Sequence, residues 1–76
     1  MAKAYLEIDV IAGKEKEVRD ALMEINGVKS ANLISGQHDV LAVVKGESYE
    51  AISESVLGEI GMVKGIKKTT TNFVFD

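Results

Sequence analysis

The stretch Gly36-Gln37-His38-Asp39-Val40-Leu41-Ala42-Val43-Val44 decides how the chain folds. Its first four residues have the composition of a tight hairpin. The five that follow are apolar at every position, whereas an antiparallel strand with one face in water alternates. Val40 to Val44 is therefore a central strand, and something must cover both of its faces. Upstream, Val28 to Ser35 supplies the strand that the hairpin joins to it. Before that strand, Gly27 gives the left-handed stop that helix ends favour, and Lys14 to Ile25 has helical periodicity. Val18, Ala21, Leu22 and Ile25 fall on one side, and Glu15, Lys16, Arg19 and Glu24 on the other. The chain opens with Lys3 to Ala12, where Ala4, Leu6, Ile8 and Val10 alternate with Lys3, Tyr5, Glu7 and Asp9, a period of two that marks a strand. Downstream, Lys45 and Gly46 close the central strand and Ser48 can cap a helix. Tyr49, Ile52, Val56 and Ile60 form that helix's apolar stripe, Gly61 ends it, and Gly65 to Phe75 reads as a final β-branched strand.

The order strand, helix, strand, strand, helix, strand is reinforced by an internal repeat at a spacing of 38 residues. Gly27, Val28 and Lys29 recur as Gly65, Ile66 and Lys67, with Ile25 matched by Val63. Two βαβ halves of this kind make an α+β, ferredoxin-like βαββαβ sandwich. Right-handed crossovers place both helices on one face of a four-stranded antiparallel sheet, with the first and third strands in the centre. At 76 residues, positions 1–76 form a single domain. The two helices can cover only one face, so the apolar residues of the other leave water only against a second copy. A core this small is also close to break-even against conformational entropy, and self-association is the staple still open to a chain without Cys and with one His. A dimer through the sheet is expected, its contact partial or laced with ion pairs because Lys3, Glu7 and Asp9 stand on the outer side of the first strand.

Composition removes whole classes of function. No Cys means no disulfide, thiolate nucleophile, Fe–S cluster or cysteine zinc site. Nine basic against twelve acidic residues give a net charge of −3, which offers no attraction to a phosphate backbone. Apolar runs fall far short of the ~20 residues a membrane helix needs, and no signal-peptide pattern opens the chain. A cytoplasmic protein with no membrane partner is expected. Eight Glu and eight Lys with no Cys lean towards a thermophilic source.

Residues with chemistry are few. His38, the single histidine, neighbours Asp39, yet adjacent strand residues point to opposite faces and no nucleophile stands near, so a solvent-exposed turn histidine is the plainer reading. One His and one Asp are too few for a closed metal site. No Gly-rich turn between strand and helix offers a phosphate cradle. Neither a metal, a cofactor nor an enzymatic activity is expected. Gly36 permits close approach to backbone N–H groups and Asp39 sets a carboxylate at the rim, a combination suited to a zwitterion; the same residues equally serve a plain turn. Thr69, Thr70 and Thr71 place two hydroxyls on one face and one on the other, as ligand contacts or simply as β-formers.

Taken in order, the Gly-Val turn at Gly27 and Val28, the Gly36-x-x-Asp39 hairpin leading into Val40 to Val44, and Val63-Lys64-Gly65-Ile66 leading into Thr69-x-Thr71 resemble the RAM (regulation of amino acid metabolism) domain. This domain is the C-terminal effector module of the Lrp/AsnC family of transcriptional regulators, and the resemblance spans nearly the whole chain. It implies a homo-oligomer of sheet-to-sheet dimers, assembling into an octameric or decameric ring, with a free amino acid bound between dimers. It further implies that Gly36, Gln37, His38 and Asp39 line that site, Asp39 and backbone groups holding the amino acid's main-chain atoms, while Thr69 and Thr71 approach from a neighbouring subunit. His38 stands where relatives often carry an aromatic residue.

Full regulators carry a helix-turn-helix domain before this module, whereas here the first strand starts within a few residues of Met1. The chain thus looks like a stand-alone RAM protein that does not bind DNA by itself, and that modulates full-length Lrp/AsnC regulators or amino acid metabolism by co-assembly. Two rival readings share the topology. One is a small dimeric α+β-barrel enzyme with His38 as base, its pocket enclosed within a dimer. The other is an ACT-like regulatory module, its sheets paired edge to edge.

Overall fold

A computed structural model describes residues 1–36 and 38–76. Gln37, one of the expected ligand contacts, lies outside the described residues. The chain forms β1 (Ala2–Val10), α1 (Glu15–Met23), β2 (Val28–Leu33) and β3 (Val40–Gly46). A second helix begins as α2 (Tyr49–Ala51), widens into a π-helical stretch (Ile52–Val56) and finishes as α3 (Leu57–Ile60), before β4 (Ile66–Val74). The four strands make one antiparallel sheet in the order β2-β3-β1-β4, with the first and third strands central as the sequence implied.

Alternation along β1 drives the core. Ala4, Leu6 and Ile8 are wholly buried, together with Val40, Ala42 and Val44 of β3, against Val18 and Leu22 of α1 and Ile52, Val56 and Ile60 of the second helix. Each fully buried Leu, Ile or Val contributes about 1.5–3 kcal/mol. Among the described residues no polar or charged side chain is buried in this layer. None of their helices is long and apolar enough to cross a membrane.

Close packing of the second helix explains two glycines. A Cβ on Gly27 would stand 2.6 Å from Val56 Cγ2, and one on Gly46 would stand 2.9 Å from Ile52 Cγ1. Ile52 and Val56 are the buried residues of the π-helical stretch, so its widened turn sets both side chains directly onto bare backbone. Ser48 caps this helix as expected, its Oγ accepting from the Ala51 N–H at 3.0 Å.

Several boundaries differ from the sequence reading. β1 stops at Val10, two residues early, because the register shifts between Asp9 and Val10 and the Val10 N–H leaves the ladder for the Asp39 carboxylate. α1 ends at Met23: the N–H groups of Glu24 and Ile25 bond to Ala21 and Leu22 at 3.2 and 3.1 Å, a tightened last turn. Ile25 still packs on the core. Gly61 ends the second helix as expected, at an ordinary helical φ of −62°. The left-handed conformation expected of Gly27 (φ +104°) is shared by Gly65 (φ +100°), its counterpart in the internal repeat, each just before a strand.

Among the described residues no helix covers the opposite face of the sheet. There Tyr5 sits across from Val43, and Leu41 from Glu7. Leu41 and Val43 are half-buried and Tyr5 is 39% exposed.

Candidate functional site

The hairpin between β2 and β3 is closed by one bond and tied to β1 by two. Ile34 donates its N–H to the Asp39 carbonyl (3.0 Å), Asp39 donates its N–H to the Ile8 carbonyl (3.0 Å), and Asp39 Oδ2 accepts from the Val10 N–H (2.8 Å). Asp39 thus anchors the hairpin through both its backbone and its side chain. Gly36, at the tip, has φ +108° with nothing within 4 Å of where a Cβ would project. Its backbone is open to an incoming group.

His38 is not the solvent-exposed turn residue that the sequence suggested. Its ring lies over the outer face of β1, with Nδ1 2.9 Å from Asp9 Oδ1 and Nε2 3.2 Å from Glu7 Oε2, and its side chain is 27% exposed. Asp9 and Glu7 are alternate residues of one strand and share a face, while Asp39 points elsewhere. The ring therefore pairs with carboxylates 29 and 31 positions earlier in the chain and not with its neighbour. Glu7 is also held from β4, where Asn72 Nδ2 donates to its Oε1 at 3.0 Å. A continuous polar line, Asn72, Glu7, His38 and Asp9, runs from β4 across β1 to the hairpin. With a carboxylate against each ring nitrogen, His38 is poorly arranged to serve as a catalytic base.

Thr69 and Thr71 pair in register with Ile8 and Leu6, so they point to the helix side of β4, while Thr70 opposes Glu7 on the outer side. The split of two hydroxyls against one is as expected. Val40, Ile8 and Thr69 stand at one level of the sheet, which sets Thr69 about 10 Å from the start of β3, two strand spacings away. Within one chain the structure gathers Gly36, His38 and Asp39 and leaves Thr69 and Thr71 across β1. Sequence reasoning missed Glu7, Asp9 and Asn72 as partners. Their polarity on the outer face was visible; the cross-strand pairing was not.

At the other end of the sheet, where Lys3 pairs with Lys45, an open depression of about 430 Å³ is lined by Met1, Lys3, Tyr5, Lys45, Tyr49 and Phe75, among others. Tyr49 packs edge-on against Phe73 and Phe75 there, and its hydroxyl donates to the Val74 carbonyl at 2.6 Å. The aromatic side chains gather at this end, away from the hairpin.

The family model of the Lrp/AsnC ligand binding domain matches residues 3–76. The chain belongs to this family. An uncharacterised HTH-type transcriptional regulator of Pyrococcus furiosus is 32% identical over 71 residues, covering 93% of this chain and 48% of its own length. The chain spans about half the length of the curated relatives it matches. Among solved structures, a protein of Thermus thermophilus superposes with a TM-score of 0.92 at 22% identity, covering all of this chain and 95% of its own. The transcriptional regulator NMB0573 of Neisseria meningitidis, solved in complex with L-Met, superposes with a TM-score of 0.82 at 18% identity, over 99% of this chain and 50% of its own. These likenesses agree with the ferredoxin-like sandwich described above. The curated relatives are HTH-type transcriptional regulators.

Proposed function

We propose that this Lrp/AsnC domain is an amino-acid-responsive regulatory module that works as a cytoplasmic homo-oligomer. The observation that carries the reading is the Gly36–Asp39 hairpin: its base is pinned to β1 by Asp39, while the backbone at its tip stands open. A rigid base and an accessible tip suit recognition of a small zwitterion by main-chain groups, because little ordering is left to do on binding. L-Met in the Neisseria meningitidis regulator gives the ligand class its precedent. Asp39, already committed to the Val10 N–H, acts mainly by holding the hairpin's shape.

Tyr5, Leu41 and Val43 on the uncovered face are to be buried against the same face of a second copy, and dimers then associate further. Thr69 and Thr71, distant from the hairpin in one chain, reach the ligand from a neighbouring dimer. Because the site is shared between copies, amino acid and assembly are thermodynamically linked, each favouring the state the other prefers. Mixed assemblies with full-length regulators would pass that response to their DNA-binding domains.

Calorimetric titration with the twenty amino acids tests this. At least one is expected to bind with sub-millimolar affinity to the wild type and at least tenfold more weakly to Asp39→Ala, a loss of about 1.4 kcal/mol or more. No detectable heat from any amino acid at millimolar concentration would contradict the proposal.

A further inference from the structure

Both ring nitrogens of His38 stand within hydrogen-bond distance of a carboxylate oxygen: Nδ1 2.9 Å from Asp9 and Nε2 3.2 Å from Glu7. Nδ1 is hydrogen-bonded to Asp9, and Nε2 stands in ion-pair contact with Glu7. A neutral imidazole brings one N–H, one lone pair and no charge to the two carboxylates, whereas the imidazolium brings an N–H towards each and a positive charge between them. The doubly protonated ring suits both. Among the described residues the other groups that bear on the ring are few. Lys68 of β4 opposes Asp9 on the same face, and Thr70 and Leu41, both uncharged, oppose Glu7. Asn72 donates to the far oxygen of Glu7, and the Asp39 carboxylate, one residue on, is occupied by the Val10 N–H. Glu7 and Asp9 are fixed on a central strand, and His38 belongs to the hairpin. A proton on the ring therefore decides how firmly the hairpin is held to the sheet.

We propose that His38 is a proton-operated latch on the Gly36–Asp39 hairpin. With its second proton the ring ties the hairpin to Glu7 and Asp9; without it one of the two contacts turns repulsive and the hairpin loosens. The consequence for regulation rests on the hairpin being the amino-acid site. There, affinity rises as falling pH places the second proton on the ring, and amino-acid binding in turn draws protons from the buffer.

Amide hydrogen exchange on the full chain tests the latch at Val10, Ile34 and Asp39, whose N–H groups make the bond that closes the hairpin and the two that tie it to β1. After correction for intrinsic exchange, these amides are expected to slow by about tenfold between pH 8 and pH 6, the scale of one charge-assisted hydrogen bond. In His38→Gln, which keeps a polar group but cannot take up a proton, that dependence is expected to vanish. The ¹⁵N signals of the wild-type ring at about pH 5.5 should report two protonated nitrogens. The same pH dependence in His38→Gln, or a ring with a single N–H at that pH, would overturn the latch. Hairpin protection that tracks His38 while no amino acid binds at any pH upholds the latch and defeats the binding reading. Amino-acid affinity that is indifferent to both pH and His38→Gln defeats the latch and leaves the binding reading standing.

Discussion

On the helix side of β1, Ala4, Leu6 and Ile8 are wholly buried in an apolar layer, whereas one residue along, on the outer side, Tyr5 is 39% exposed and Glu7 and Asp9 grip a histidine. Both surfaces come from the same strand with opposite residues of its period-two pattern. The difference lies in what each can spare. The inner surface is closed by the chain's own helices and carries its stability. The outer surface keeps partly exposed apolar side chains beside a line of paired polar groups.

The largest effect belongs to the inner side. Leu6→Ala is expected to cost about 2–5 kcal/mol in urea unfolding, transfer and cavity terms together, against less than about 1 kcal/mol for Asn72→Ala on the outer side. Equal losses would erase the distinction between the faces. Next come the glycines. Gly27→Ala must both hold φ +104° and meet Val56 Cγ2 at 2.6 Å, for a loss of about 2–4 kcal/mol by strain and overpacking. Gly36→Ala, with a similar φ and empty space around it, should lose only about 1–2 kcal/mol of stability. Thermal melts that rank these two the other way would show the hairpin tip to be the more tightly packed region. Of similar or smaller size is Ser48→Ala, which removes the cap bond to Ala51 and should lower stability by about 1 kcal/mol, measurable as a shift in the urea midpoint with unchanged slope.

The sequence made the inner surface legible because burial imposes a period. Alternation in β1, the doubly apolar β3 and the Gly27/Gly65 repeat together determine the strand order and the helix-covered side. The π-helical stretch was not legible: Ile52, Val56 and Ile60 recur every four residues, a spacing that a regular helix accommodates equally well. Strand ends were over-extended because they are set by single long-range bonds, such as Val10 to Asp39, that no local pattern announces. The same holds for the site. Gly36 and Asp39 could be singled out by turn chemistry, but the partners of His38 lie 29 and 31 positions away, and they meet only once β1 and β3 are paired. Residue type marked the participants and topology arranged them.

Sedimentation velocity of the wild type and of Val43→Glu at tens of micromolar tests most directly whether the helix-free surface is a meeting place for copies of the chain. The wild type should sediment as a dimer or an even multiple of it, and Val43→Glu, which sets a charge in the middle of that surface, as single chains. A wild type that stays a single chain at that concentration, with or without amino acids, would contradict the account.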